Sequence, residues 1–174
     1  DKMEAIPGWR ASLSNEEMVT QLREIGGMIA AATSDLNPAD RRLYQLRDVT
    51  STIDSIPLIA SSIISKKVAE GTEALVLDVK TGAGAFMSEV EQARLLAKTM
   101  VQLGEDSGVR TVALITGMEN VLGRTAGNAL EVAEAIDILE GSGPEDVIEV
   151  TLALAREMLN LVDVDIDPAE IGKV

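Results

Sequence analysis

The chain has 174 residues, a formal net charge of −14, a 46% hydrophobic fraction, and one Trp, one Tyr and one Phe, with no Cys and no His. That is too apolar for a disordered chain, so a real core is expected, built from Ala, Val, Ile, Leu and Met. The acidity repels phosphate backbones, which excludes nucleic acid as a partner, and the missing thiols and imidazoles exclude disulfides, thiolate metal sites and any histidine acid or base from this chain.

In chain order, Ser14 and Glu17 make a capping-box pair ahead of Met18, Leu22, Ile25 and Ile29, which predicts a helix over 15–32. A turn is expected at Ser34-Asp35. Asn37-Pro38 opens a short helix through about Leu46, and Asp54-Ser55 with Pro57 opens another that stops at Gly71. The apolar, β-branched run 74–79 reads as a buried parallel strand. Ser88 and Glu91 predict a second capping box on a helix ending near Gly104. Residues 111–116 form a second buried strand. Asn128 caps a helix through Leu139, and Pro144 starts one more through about Leu161. The alternating Asp163, Asp165 and Asp167 suggest a strand-like edge with an acidic outer face. Strand–helix–strand–helix order predicts an α/β fold, a parallel (mixed) sheet flanked by helices with right-handed crossovers, with part of a small helical domain beside it.

Three segments could carry chemistry. Ser62 and Lys66 are four apart and share one helix face, while Ile56, Ala60, Ile63 and Ile64 lie toward another face that suits the core. Arg47, expected on a loop before that helix, could join them. A hydroxyl and two cations suit a flat polar ligand with carbonyl oxygens and a ring N–H. The same spacing also fits a solvated face with a helix-end lysine. The glycine-rich stretch 80–87 follows the first strand, where open α/β sheets bind ligands. It matches neither a dinucleotide fingerprint nor a Walker loop, and an ordinary tight turn explains it equally. Phe86 on that stretch could pack on a flat ring or fill core. After the second strand, carbonyls of Leu122 and Thr125 could join a carboxylate on a hard cation such as potassium, although acidic residues at a helix start need no such role. The aspartates near 165 lack the Gly and Glu of a calcium loop.

These segments together closely resemble the thymidine phosphorylase and pyrimidine-nucleoside phosphorylase family. The matching stretches are DKMEAIPG at 1–8, LYQLRDVTSTIDSIPLIASSIISKK at 43–67, ALVLDVKTGAGAFM at 74–87 and LGRTAGNALEVAEA at 122–135. They cover nearly the whole chain in order.

The resemblance implies that Arg47, Ser62 and Lys66 hold the pyrimidine base, with Arg47 and Lys66 catalytic, and that Tyr44 and Phe86 line the base pocket. It implies a potassium site at Leu122, Thr125 and Glu134, with Thr125 standing where Ala is usual; no other cofactor is required. The implied reaction is phosphorolysis of thymidine or another pyrimidine nucleoside by inorganic phosphate, giving the free base and 2-deoxyribose 1-phosphate. The implied parent is a homodimer. The family's phosphate-binding loop and its histidine are expected upstream of this chain, and more of the α/β domain beyond it.

On that basis residues 1–36 begin the α/β domain and its linking helix, 37–71 belong to the small base-binding helical domain, and 72–174 return to the α/β domain. Two readings stay open: the base-binding half of an enzyme, or a pyrimidine-binding or structural piece without turnover. No apolar run reaches roughly 18 residues, so no membrane span is expected, and nothing resembles a secretion signal; a cytoplasmic protein is the expectation.

Overall fold

The computed structural model describes residues 2–31 and 37–171. A 3-10 turn, Lys2–Ala5, precedes α1 (Asn15–Ile25), α2 (Pro38–Val49), α3 (Ile56–Ala69), β1 (Ala74–Thr81), α4 (Val90–Asp106), β2 (Arg110–Gly117), α5 (Asn128–Leu139), α6 (Glu145–Leu161) and the short α7 (Pro168–Ile171). The fold is α/β, as the strand and helix order predicts. Among the described residues the sheet has two strands, both parallel, in register from Ala74 opposite Arg110 to Thr81 opposite Gly117. No helix there is long and apolar enough to cross a membrane.

The core forms where α4 crosses one face of the sheet. Ala93, Leu96, Ala97 and Met100 fall at i, i+3, i+4 and i+7, a single helical stripe, and pack with Leu77 and Val79 of β1. Helix α3 adds Ala60 and Ile64, with Ile56, Ile59 and Ile63 packed around them, so α3 docks on α4. Helix α6 also packs against both strands. The docking of α3 decides the rest. Ser62 is two residues from Ala60, about 200° around the helix, so burying Ala60 and Ile64 against α4 turns Ser62 and Lys66 toward α2.

Several boundaries differ from the sequence pattern. Helix α1 has its capping box at Ser14 and Glu17, but it ends at Ile25 rather than near 32. Gly26 turns left-handed (φ 84°) and donates its N–H to Leu22 O, which closes the helix. Helix α2 runs one turn past Leu46, which places Arg47 on a helix and not on a loop. The Ser88–Glu91 box does not form. Met87 still bridges to Thr81, so the chain is free to coil only after it, and the cap is Glu89.

Helix α4 also continues past Gly104. A β-carbon there would sit 2.1 Å from Thr111 Oγ1, so the glycine marks close approach of helix to strand and not a helix stop. At α5 the cap is Gly127, whose N–H is taken by the Glu131 carboxylate 3.0 Å away, in place of the expected Asn128 side chain. Asp163, Asp165 and Asp167 form no strand. Asp163 takes a left-handed φ of 57° to end α6, and Asp167 caps α7 through Ala169 N–H. The turn expected at Ser34-Asp35 lies outside the described residues.

Candidate functional site

Helices α2 and α3 face each other across a polar seam. Asn37, the α2 cap, accepts the Asp40 N–H at 3.2 Å and donates from Nδ2 to Ser65 Oγ at 3.0 Å, which ties the start of α2 to α3. Asp40 and Arg47 are seven residues apart, two turns, so one face of α2 carries a buried carboxylate at one end and a buried guanidinium at the other. Opposite them on α3 stand Ser62, buried, and Lys66, half-buried.

Lys66 Nζ lies 3.0 Å from Ser62 Oγ and 2.8 Å from Asp40 Oδ2. Burial pushes the Asp40 carboxyl up. Hydrogen bonds from Lys66 and Ser62, with the positive charges of Lys66 and Arg47, outweigh it and hold the group below the usual carboxylate range.

Arg47 donates to the carbonyls of Leu58 (3.2 Å) and Ile53, which clamps the turn between α2 and α3. Its Nε is buried with no hydrogen-bond partner. The guanidinium carbon sits 5.1 Å from the centre of the Tyr44 ring, one turn back on α2, and that ring is half-exposed.

Helix α3 brings Ser62 and Lys66 together on one face, as their four-residue spacing leads one to expect, and Arg47 and Tyr44 lie one turn apart on α2. Asp40, which the sequence pattern did not single out, joins the two helices by pairing with Lys66. An acidic residue in the first turn of a helix reads as a dipole partner, and only its seven-residue offset from Arg47 signalled otherwise.

Phe86 stands apart, 77% exposed, on the glycine loop that leaves the carboxyl end of β1. That loop is pressed against the exit of β2: Gly84 N–H reaches Met118 O at 3.0 Å, and Glu119 Oε2 accepts Ala83 N–H at 3.3 Å. Gly82 has φ 121°, and a β-carbon there would meet Glu119 Oε1 at 2.6 Å, so the glycine serves this loop-to-loop approach. At the same end of the sheet, Lys80 Nζ is 2.8 Å from Asp78 Oδ2 and 2.8 Å from Thr116 Oγ1, a polar cluster the sequence reading passed over.

In the 122–134 segment, Glu134 accepts hydrogen bonds from Thr125 Oγ1 (2.8 Å), Arg124 N–H (3.0 Å) and Thr125 N–H (3.3 Å). The Thr125 hydroxyl bond first, then the backbone N–H groups and the Arg124 charge, lower its carboxyl against the opposing effect of burial. This brings Glu134 against the loop that holds the Leu122 and Thr125 carbonyls. One engaged carboxylate and two carbonyls are a partial set for a hard cation that takes several oxygens. Among the described residues no group of three or more His, Cys, Asp or Glu could hold a metal ion.

Comparison with known proteins adds kinship to this geometry. Residues 1–170 match the model of the glycosyl transferase family, a/b domain. The chain is 58% identical over 171 residues to a thymidine phosphorylase of Mycobacterium tuberculosis (strain ATCC 25618 / H37Rv), covering 98% of this chain and 40% of that protein. It is 52% identical over 161 residues to a pyrimidine-nucleoside phosphorylase of Bacillus subtilis (strain 168), covering 92% and 37%. It is 49% identical over 163 residues to one of Geobacillus stearothermophilus, covering 94% and 38%. The chain thus spans about 40% of the length of the curated relatives it matches.

Proposed function

We propose, from the premise that this chain belongs to the glycosyl transferase a/b-domain family, that it carries the pyrimidine-base half of a nucleoside phosphorylase site. The substrates in this reading are thymidine or another pyrimidine nucleoside and inorganic phosphate. The observation that carries it is the gathering of two cations and one hydroxyl, Arg47, Lys66 and Ser62, between α2 and α3, where Asp40 feels the charge of both. The names of the relatives support the same chemistry.

In the reaction, a phosphate oxygen attacks C1′ of the sugar and the C1′–N bond breaks. The bonding pair leaves with the base, and negative charge spreads over its ring nitrogen and carbonyl oxygens. Lys66 and Arg47 stabilise that charge, which is larger in the transition state than in the bound nucleoside, so their effect falls on the rate. Arg47 spends two donors on Leu58 and Ile53 and is therefore rigid; its buried, unpartnered Nε–H suits a base carbonyl. Tyr44 and Phe86 supply ring surface for the flat base. Potassium at the Leu122–Thr125–Glu134 segment, a homodimeric parent and the assignment of 37–71 to a base-binding helical domain belong to the same proposal.

The test measures thymine released from thymidine and phosphate by the 174-residue chain and by the protein extended at both ends. Release by the extended protein alone, with thymine binding by both, is the expected result. No release by the extended protein overturns the reading.

A further inference from the structure

We propose that Glu119 is a positioning residue for this site: its carboxylate tethers the glycine loop after β1 and so fixes where the Phe86 ring stands before a ligand arrives. The inference rests on the pyrimidine-base reading above, in which Phe86 supplies ring surface, and goes beyond it to what places that ring.

Phe86 is 77% exposed, so packing does not hold its ring and the backbone on either side must. On one side stands Met87, buried in the core, whose carbonyl accepts the Gly82 N–H at 3.3 Å and closes the loop on itself. On the other side the loop is stitched to the exit of β2. Met118 donates its N–H to Thr81 O at 2.6 Å and accepts the Gly84 N–H at 3.0 Å. Those two bonds run from backbone to backbone, and they do not depend on which side chains the loops carry. The third stitch is a side chain: Glu119 Oε2 accepts the Ala83 N–H at 3.3 Å.

The same carboxylate braces the turn by contact. A β-carbon on Gly82 would lie 2.6 Å from Glu119 Oε1 and 2.9 Å from its Cδ, so the Glu119 head lies over Gly82 while it bonds the amide of the next residue. Phe86 is two residues beyond Gly84 and next to Met87, which leaves its backbone little room once both ends are held. A ring fixed in advance meets a flat base without the ordering cost that a free loop would add to binding. Glu119 is itself exposed, so its loss removes the tether and leaves the core as it was.

The experiment titrates the complete protein carrying this sequence with thymine by calorimetry, as wild type, Glu119→Ala, Glu119→Gln, Phe86→Ala, Lys66→Ala and the Glu119→Ala/Phe86→Ala double variant, with a thermal melt of each. Glu119→Ala is expected to weaken thymine binding about three- to tenfold, the loss of one hydrogen bond, with the melting midpoint unchanged. Glu119→Gln keeps an oxygen that accepts the Ala83 N–H and is expected to bind near wild-type strength. In the Phe86→Ala protein, itself weakened, the further change Glu119→Ala is expected to add nothing, because the tether acts through the ring. A Glu119→Ala protein that binds thymine at wild-type strength overturns the inference, as does one whose deficit is undiminished when Phe86 is already Ala. If Lys66→Ala weakens binding and neither Glu119→Ala nor Phe86→Ala does, the inference falls and the pyrimidine reading stands. A wild type that binds no thymine overturns both.

Discussion

Lys66 Nζ lies 2.8 Å from Asp40 Oδ2, joining α3 to α2 through a carboxylate that is almost fully covered. Because the folded-state carboxyl is held below its ordinary value, the bond contributes stability at pH above the unfolded value, and that contribution is lost as pH falls through the folded one. Asp40→Asn is therefore expected to lower the urea midpoint at pH 7 and to differ less from wild type near pH 3. An equal deficit at both pH values would show that the carboxylate charge is irrelevant to stability.

Arg47 has a structural role beside the binding role proposed for it, and the sequence spacing did not separate the two. Its two hydrogen bonds to the Ile53 and Leu58 carbonyls clamp the α2–α3 turn from a buried position. Arg47→Ala is expected to cost roughly 1–3 kcal/mol of stability, since two part-buried carbonyls lose their partners, and also to abolish turnover in the complete protein. Lys66→Ala is expected to lower kcat by about 10²–10³ with a smaller loss of stability, because Lys66 is half-exposed. Chemical denaturation of both variants beside the thymidine assay checks the contrast; equal stability losses would contradict it.

Gly104 offers a case where helix propensity and packing oppose each other. Alanine is the better helix former by about 1 kcal/mol, yet its β-carbon would meet Thr111 Oγ1 at 2.1 Å and Thr111 Cβ at 2.9 Å. Gly104→Ala is expected to destabilise by about 1–3 kcal/mol, and Thr111→Ala in the same chain to restore part of the loss. A stabilised Gly104→Ala protein in a thermal melt would mean that α4 and β2 sit further apart than described.

Ala60 is fully buried at the contact of α3 with α4. Ala60→Leu adds three carbons with nowhere to go and is expected to cost about 1–3 kcal/mol. By lifting α3 it should also weaken thymine binding, although no atom of Ala60 belongs to the site. Binding at wild-type strength in a destabilised Ala60→Leu protein would separate the core from the site and refute that linkage.

Glu134 tests the cation proposal. Replacing choline chloride with potassium chloride is expected to raise the thermal midpoint of the complete protein by mass action on the folded state, and Glu134→Gln to remove that increment. A midpoint indifferent to the cation would leave Glu134 as a loop anchor held by Arg124 and Thr125 alone.

The sequence by itself determined which residues could form elements and which side chains could share a face. The β-branched runs at β1 and β2, the Ser14 capping box, and the offset between Ala60/Ile64 and Ser62/Lys66 are local or periodic, and both properties survive folding. Tertiary structure decided the rest. It placed Gly104 inside a helix because Thr111 crosses there, delayed α4 because Met87 stays bridged to Thr81, and gave Asp163 a left-handed turn after α6 where alternation suggested a strand. It also paired Asp40 with Lys66 across the two helices. A carboxylate in a first helical turn has a sufficient local reason to exist, and only the approach of α3, fixed by apolar packing on α4, brings Lys66 and Ser62 to it and gives it a second one.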